Sequence, residues 1–237
     1  MKMYYLFPVA MLFLCGACTP KYYLAEAPFV PILEEKGDVA ASISSSVVKD
    51  DVFPPVQCNA IYAYDSNKSV FVTMLTNVKI AKGFFALDEP NSFYMFEAGT
   101  GWFQNPGQHI GFAEKLGFGY GKFSVKPDRQ EVLIYGILKP NVELQGFIRS
   151  KHVILGGSTK ASALHYILPN NADTNDRQFM RHSPGRELYG MADPAIYYGL
   201  YDKHWQFTAH MIWTHELRDI SWDYYTFQAG YQLYIFF

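Results

Sequence analysis

The 237-residue chain is 49% hydrophobic, 17% aromatic and only 18% charged, with a formal net charge of −2. Its mean hydropathy of −0.06 shows that apolar and polar residues are interspersed, whereas a helical membrane protein needs about 20 consecutive apolar residues per span. The aromatic content excludes a disordered chain, and the charge provides no basic field for nucleic acid. We therefore expect a folded protein without a nucleic-acid partner.

The N-terminus has the composition of an export signal. Lys2 precedes a short apolar run over residues 4–14, and small residues follow up to Cys18. A run of this length with small residues at its end is typical of a secretory signal. Small residues before a cysteine resemble the bacterial lipoprotein signal, in which Cys18 becomes the first residue and carries acyl chains such as palmitate. The alternative is a plain secretory signal that is cut near Ala17.

The predicted organisation is a signal peptide over residues 1–17, a lipidated Cys18 and tether over residues 18–38, and one β domain over residues 39–237. Outside the signal only Cys58 remains, so no disulfide framework is predicted in spite of an oxidising compartment. No cysteine or histidine cluster has the spacing of a metal site, and neither a metal nor a cofactor is expected.

From residue 39 onward hydrophobicity alternates with period two, which indicates β-strands. On the last strand, Tyr231 and Leu233 share one face while Gln228 and Gln232 share the other. The predicted strands are 39–48, 55–64, 69–78, 92–103, 109–124, 142–149, 152–166, 194–201, 204–215 and 224–237.

The connections between these strands alternate strictly between short and long. Short turns join strands 2–3, 4–5, 6–7 and 8–9, while the connections 49–54, 79–91, 125–141, 167–193 and 216–223 are longer. Transmembrane β-barrels alternate in this way, with short turns at the periplasmic rim and long loops outside. We therefore predict an all-β fold: a single antiparallel, up-and-down transmembrane barrel of about ten strands.

In such a barrel the apolar face of each strand meets lipid and the polar face meets the lumen. Ten strands enclose a narrow interior that side chains largely fill, so opposite charges are expected to pair inside and no wide channel is expected. The predicted interior polar residues are Glu97, Lys115, Glu143, Arg149, Lys160 and His210.

Several stretches resemble small outer-membrane β-barrel proteins and lipoproteins of the Bacteroidetes type. The resemblance covers roughly residues 26–237 and rests on residues 31–42, on residues 193–199 and on a closing aromatic strand that contains Gly230. That strand closes on a phenylalanine, Phe237, and has aromatic residues at alternate positions. In this it resembles the C-terminal signal that the bacterial barrel-assembly machinery recognises. The resemblance implies export to the outer membrane, contact with its lipid and assembly by that machinery, and it transfers no catalytic residue.

Two outer-membrane enzyme classes provide a contrast. Omptin-like proteases use paired aspartates and an Asp-His pair at the outer rim; this chain has acidic loop residues such as Asp173 but not the Asp-x-His spacing. Lipid A deacylases use a His-x-Ser pair, whereas His182 and Ser183 are adjacent here. We therefore predict no enzymatic activity.

The long connection 167–193 is the candidate binding region, because loops on rigid scaffolds carry recognition. An extracellular ligand with carboxylate, phosphate or sugar groups would suit its side chains, of which the candidates are Arg177, Arg181, His182 and Arg186.

The predicted function is that of an outer-membrane β-barrel lipoprotein with a structural, adhesive or partner-binding role, too narrow for a general porin. One alternative is a soluble periplasmic lipocalin-like lipoprotein, in which the apolar faces would point inward around an apolar ligand. A second alternative is an outer-membrane hydrolase with its site on the loops.

Overall fold

The computed structural model describes residues 25–48, 55–76, 92–105, 109–125, 133–167, 188–216 and 225–237. These residues contain ten β-strands: β1 (Val39–Val48), β2 (Val56–Asp65), β3 (Lys68–Thr76), β4 (Phe93–Gln104), β5 (Ile110–Val125), β6 (Leu133–Arg149), β7 (Val153–Ile167), β8 (Leu188–Asp202), β9 (Trp205–Glu216) and β10 (Tyr225–Phe236). No helix in this part of the chain has the length and apolar character needed to cross a bilayer.

The strands form one closed barrel in which each strand pairs antiparallel with its neighbours in sequence. The barrel closes where β1 pairs with β10, in a register that places Ser42 opposite Tyr234 and Ser46 opposite Gly230. Closure leaves no unpaired strand edge. The predicted fold class, a ten-stranded antiparallel barrel, is confirmed.

The two ends of the barrel differ in the length of their connections. At one end, which we call the short-turn end, the strands are joined by residues 66–67, 105–109, 150–152 and 203–204. At the other, the long-connection end, residues 49–55, 77–92, 126–132, 168–187 and 217–224 join them. In transmembrane barrels the short turns are periplasmic and the longer loops extracellular.

The outer surface of the wall is apolar and the inner surface is polar. On β10, Tyr231 is 60% exposed whereas Gln228 is completely buried. The same contrast holds between the exposed Phe207 of β9 and the buried Lys115 of β5. A lipocalin-like barrel needs the opposite arrangement, so the structure contradicts the alternative of an apolar ligand in the lumen.

Two strands begin earlier than predicted, and a proline explains each difference. β6 begins at Leu133 where the sequence indicated residue 142, and it passes through Pro140; β8 begins at Leu188 where the sequence indicated residue 194, and it passes through Pro194. Proline has no N–H to give to a ladder. The pairing of β6 with β7 is accordingly interrupted around Pro140, and that of β8 with β9 around Pro194.

Candidate functional site

The lumen of the barrel is filled by the chain's own residues 25–33, which we call the inserted segment. All nine of these residues are buried. Backbone without regular secondary structure is tolerated at membrane depth only where protein or water surrounds it. The sequence suits this position, because Pro28 and Pro31 have no N–H groups that would need a partner.

The backbone of the inserted segment is paired by side chains of the wall. Gln57 of β2 accepts a hydrogen bond from the N–H of Ala27 (2.7 Å) and donates one to its carbonyl (3.1 Å). The hydroxyl of Tyr234 on β10 accepts from the N–H of Val30 (2.9 Å) and donates to the carbonyl of Pro28 (3.1 Å). Each wall residue therefore recognises both a donor and an acceptor of the segment.

Carbonyl groups of the inserted segment receive further donors from the wall. Phe29 accepts hydrogen bonds from the Lys115 ammonium group and from the Gln145 amide, the latter at 3.0 Å. Val30 accepts from Gln206 (3.1 Å). Because buried carbonyls without partners are costly, these contacts hold the segment at a defined height in the lumen.

The amide of Gln228 on β10 also fits the backbone of the segment. With its nitrogen facing the Ala25 carbonyl (3.2 Å) and its oxygen facing the Ala25 N–H (3.0 Å), it pairs with both groups. Gln57 makes the same kind of two-sided contact with Ala27, so two glutamines bind alternate residues of the segment.

An ion-pair network joins the inserted segment to the middle of the wall. The Glu26 carboxylate contacts the Lys139 ammonium group at 2.5 Å and also pairs with Lys160. Lys160 makes two further hydrogen bonds to Glu97, at 2.8 and 2.9 Å. Lys139 is 0% exposed, and a buried charge of this kind requires a partner. Glu26 thus supplies one of the negative charges that the wall lysines need.

The wall provides space for this network at one glycine. A Cβ atom on Gly117 of β5 would lie 3.0 Å from the Glu97 carboxylate and 3.0 Å from the side chain of Asn141. Gly117 therefore leaves room for the Glu97 side chain to reach the lysines.

The two ends of the inserted segment pack against different apolar clusters. Ala25 lies in a cluster with Leu75, Phe123 and Ile212, residues that lie near the ends of β3, β5 and β9 that lead into long connections. Phe29 and Leu33 lie in a second cluster, formed at the short-turn end by Ala40, Ile61, Ala63, Phe71, Phe103 and Tyr234. The Phe29 and Tyr234 rings stack with their centroids 5.9 Å apart.

The chain reverses direction between the inserted segment and β1. Gly37 adopts a φ of 101°, a conformation that glycine adopts readily, and its N–H donates to the Ala63 carbonyl at 2.8 Å. The Asp38 carboxylate accepts from the N–H groups of Glu34 (2.6 Å) and Glu35 (3.0 Å). The segment thus runs down the lumen to the short-turn end before β1 runs up the wall.

The short-turn end has an ion pair at its rim. Arg149 contacts Glu34 at 2.7 Å, with the Glu34 side chain 63% exposed. An open cavity of about 420 Å³ beside this pair is lined by Tyr201, His204 and Phe237 among others. Its position at the rim makes it a surface depression and not a passage through the lumen.

The structure brings most of the predicted interior residues together. Glu97, Lys115, Glu143 and Lys160 are buried in the lumen, with Lys115 and Glu143 paired at 3.8 Å. Arg149 lies at the short-turn rim instead of the centre. His210 is buried, and among the residues that the structure describes neither of its ring nitrogens has a hydrogen-bond partner.

Other predicted residues lie outside the part of the chain that the structure describes. These are Cys18, with the signal peptide and the first part of the tether, and the loop candidates Arg177, Arg181, His182 and Arg186. Asp173, named in the comparison with omptins, is outside it as well. Within the described ranges no group of three or more His, Cys, Asp or Glu residues could hold a metal ion.

The inserted segment and the inward position of Lys139 were not predicted from the sequence, whereas Lys115 and Lys160, which also contact the segment, were predicted to lie inside. Residues 25–33 were assigned to a tether, although Ala-Pro-Phe-Val-Pro-Ile-Leu is too apolar for a solvated linker. Lys139 was assigned to the connection 125–141, whereas it lies on β6. The inward glutamines were recognised as polar, but period-two alternation does not reveal that they face a chain.

No protein-family model matches the chain, and no curated protein matches its sequence. Its fold is similar to those of solved bacterial structures, three of which follow. The outer membrane protease OmpT of Escherichia coli is 11% identical, with 85% of this chain and 94% of that chain covered and a TM-score of 0.45. The attachment invasion locus protein Ail of Yersinia pestis is 10% identical, with 85% and 99% covered and a TM-score of 0.32.

The third structure, a bacterial polysaccharide outer membrane secretin, is 8% identical, with 87% of this chain and 100% of that chain covered and a TM-score of 0.27. At these identities the likeness concerns the fold, and no activity is carried over from these proteins.

Proposed function

We propose that this protein is an outer-membrane β-barrel whose lumen is permanently closed and whose role is structural, adhesive or partner-binding, without catalysis. The observation that carries the proposal is the burial of all nine residues of the inserted segment. A lumen occupied by the chain's own backbone offers no path to a solute.

The outward face of the wall supports location in a membrane. Its exposed residues include Ile43, Leu144, Ile196, Tyr198 and Leu233 from four different strands. An apolar patch that encircles a protein is expected to meet lipid, since soluble monomers rarely expose large contiguous apolar areas. The strands have 9–17 residues, and about 9–11 suffice to cross a bilayer.

The N-terminal residues 1–18 and the connection 167–193 have the roles of export and recognition. Residues 1–17 direct export, Cys18 carries the lipid anchor, and the barrel-assembly machinery inserts the protein. Recognition takes place at the long-connection end, where Arg177, Arg181, His182 and Arg186 suit an extracellular ligand with anionic or sugar groups.

The test combines location with conductance. Outer-membrane fractions analysed on SDS gels with and without boiling should show a mobility change typical of a folded barrel. The purified protein in a planar bilayer should give no stable ion conductance. A variant that combines Glu26→Gln with Phe29→Ala is the matched control, because it loosens the inserted segment and should produce transient conductance steps.

Stable channels in the unaltered protein would contradict a closed lumen. Recovery of the protein in the osmotic-shock fraction would contradict a membrane location.

A further inference from the structure

We infer that the chain preceding Ala25 leaves the barrel at the long-connection end, so that the N-terminus and a lipid on Cys18 lie on the outer side of the membrane. The location and lipidation are those of the proposed function, on which this inference rests. It adds the leaflet and the side of the membrane that hold the anchor.

The direction of the inserted segment is the first step. Ala25 contacts the cluster at the long-connection end, which includes Met95 and Tyr135. Glu34 contacts Arg149 at the short-turn rim, and Asn105, in the β4–β5 turn, donates to the Leu33 carbonyl at 2.7 Å. The segment therefore enters the lumen from the end with long connections and reaches the opposite rim nine residues later.

The filled lumen is the second step, because it offers no return path to the periplasm. Around Glu26 the cross-section contains Lys139, Lys160 and Glu97, all buried. Below them, the Phe29 ring stacks with the ring of Tyr234, and the ammonium group of Lys115 is 4.7 Å from the Phe29 ring centroid. A second chain could pass these layers only by displacing paired charges.

The reach of the chain is the third step. Seven Cα–Cα steps separate Ala25 from Cys18, and an extended chain covers at most about 3.3–3.6 Å per residue, or roughly 25 Å. That distance allows a lipid on Cys18 to reach the leaflet beside the long-connection rim. It does not allow the chain to leave the lumen, pass over the rim and cross a hydrocarbon core about 30 Å thick.

Cysteine labelling on living cells tests the inference. Lys21→Cys places a thiol in the chain before Ala25, and Lys36→Cys places the matched thiol at the exposed short-turn end. Both variants carry Cys58→Ala, which removes the lipid-facing thiol of β2. A membrane-impermeant maleimide should label Lys21→Cys on intact cells and Lys36→Cys only after the outer membrane is permeabilised, with the labelled peptide identified by mass spectrometry.

Labelling of Lys21→Cys only after permeabilisation, or no labelling of it at all, would overturn the inference. Failure of the proposed function gives different results. An unmodified Cys18 in the N-terminal peptide would remove the lipid but leave the external label, and a protein outside the outer membrane would fail the gel test and label both variants alike.

Discussion

The barrel wall and the inserted segment bury their backbones in different ways. Apart from the interruptions around Pro140 and Pro194, the wall pairs its N–H and C=O groups with neighbouring strands of a closed sheet. The segment makes no such ladder and depends on side chains, with Gln57 and Tyr234 each serving one donor and one acceptor. The wall can therefore accept many sequences that alternate correctly, whereas the segment depends on particular residues.

This difference changes the interpretation of the polar lumen. Inward polar residues of a barrel commonly line water or pair with one another. Here Gln145, Gln206 and Lys115 hold backbone carbonyls, while Lys139 and Lys160 share the Glu26 carboxylate. The inner face is complementary to one specific segment, and substitutions on it should affect the segment more than the wall.

The largest effect is expected for Lys160→Ala. The change leaves Glu97 and Glu26 buried with one fewer cation, and breaking a buried ion pair costs about 3–5 kcal/mol. Urea unfolding in lipid vesicles, followed by gel mobility, measures the loss. Lys203→Ala, in the exposed β8–β9 turn, is the control; equal unfolding midpoints for the two variants would mean that the network does not stabilise the barrel.

A smaller effect that separates segment from wall is expected for Gln57→Leu. It removes the neutral side chain that pairs with the N–H and carbonyl of Ala27, and losing a neutral hydrogen-bond partner costs about 1–3 kcal/mol, less than breaking a buried ion pair. Hydrogen exchange should accelerate in residues 25–33 while the strands stay protected. Cys58→Ala, which alters the neighbouring outward-facing residue, should leave the segment protected from exchange. Equal exchange rates of residues 25–33 in the two variants would mean that Gln57 does not hold the segment.

The smallest effect is expected for Arg149→Ala at the short-turn rim. The Arg149 side chain is only 10% exposed, but its partner Glu34 is 63% exposed, and an ion pair that solvent reaches contributes about 0–1 kcal/mol, screened by salt. The difference in unfolding midpoint from the unaltered protein should be slight and should shrink further in high salt. A loss as large as that for Lys160→Ala would show that the rim, and not the middle, holds the segment.

The fold of the wall could be predicted from the sequence because one rule, the alternation of apolar and polar residues along each strand, determines which face each side chain takes. Period-two alternation placed Gln228 inside and Tyr231 outside, and the alternating connections indicated closure. The starts of β6 and β8 were predicted too late because of two prolines. Pro140 and Pro194 each interrupt the pairing on only one side of their strand, whereas in a sequence pattern a proline indicates the end of a strand.

The site was less predictable because it depends on contacts between distant residues. Glu26 pairs with residues more than a hundred positions away, and no local pattern encodes that distance. The apolar character of residues 25–33 was visible, but the sequence offered no surface against which to pack it. The closed barrel is needed to see that these residues pack inside its lumen.

The seam that closes the barrel also forms part of the surface that binds the inserted segment. A finished barrel has no side opening, and the first and last strands meet along a seam from Ala40 with Phe236 to Val48 with Gln228. Gln228 and Tyr234, on the final strand, both bind the segment. Pairing of the first and last strands therefore also completes the inner surface that the segment contacts, because these two side chains reach their positions only when β10 has joined the wall.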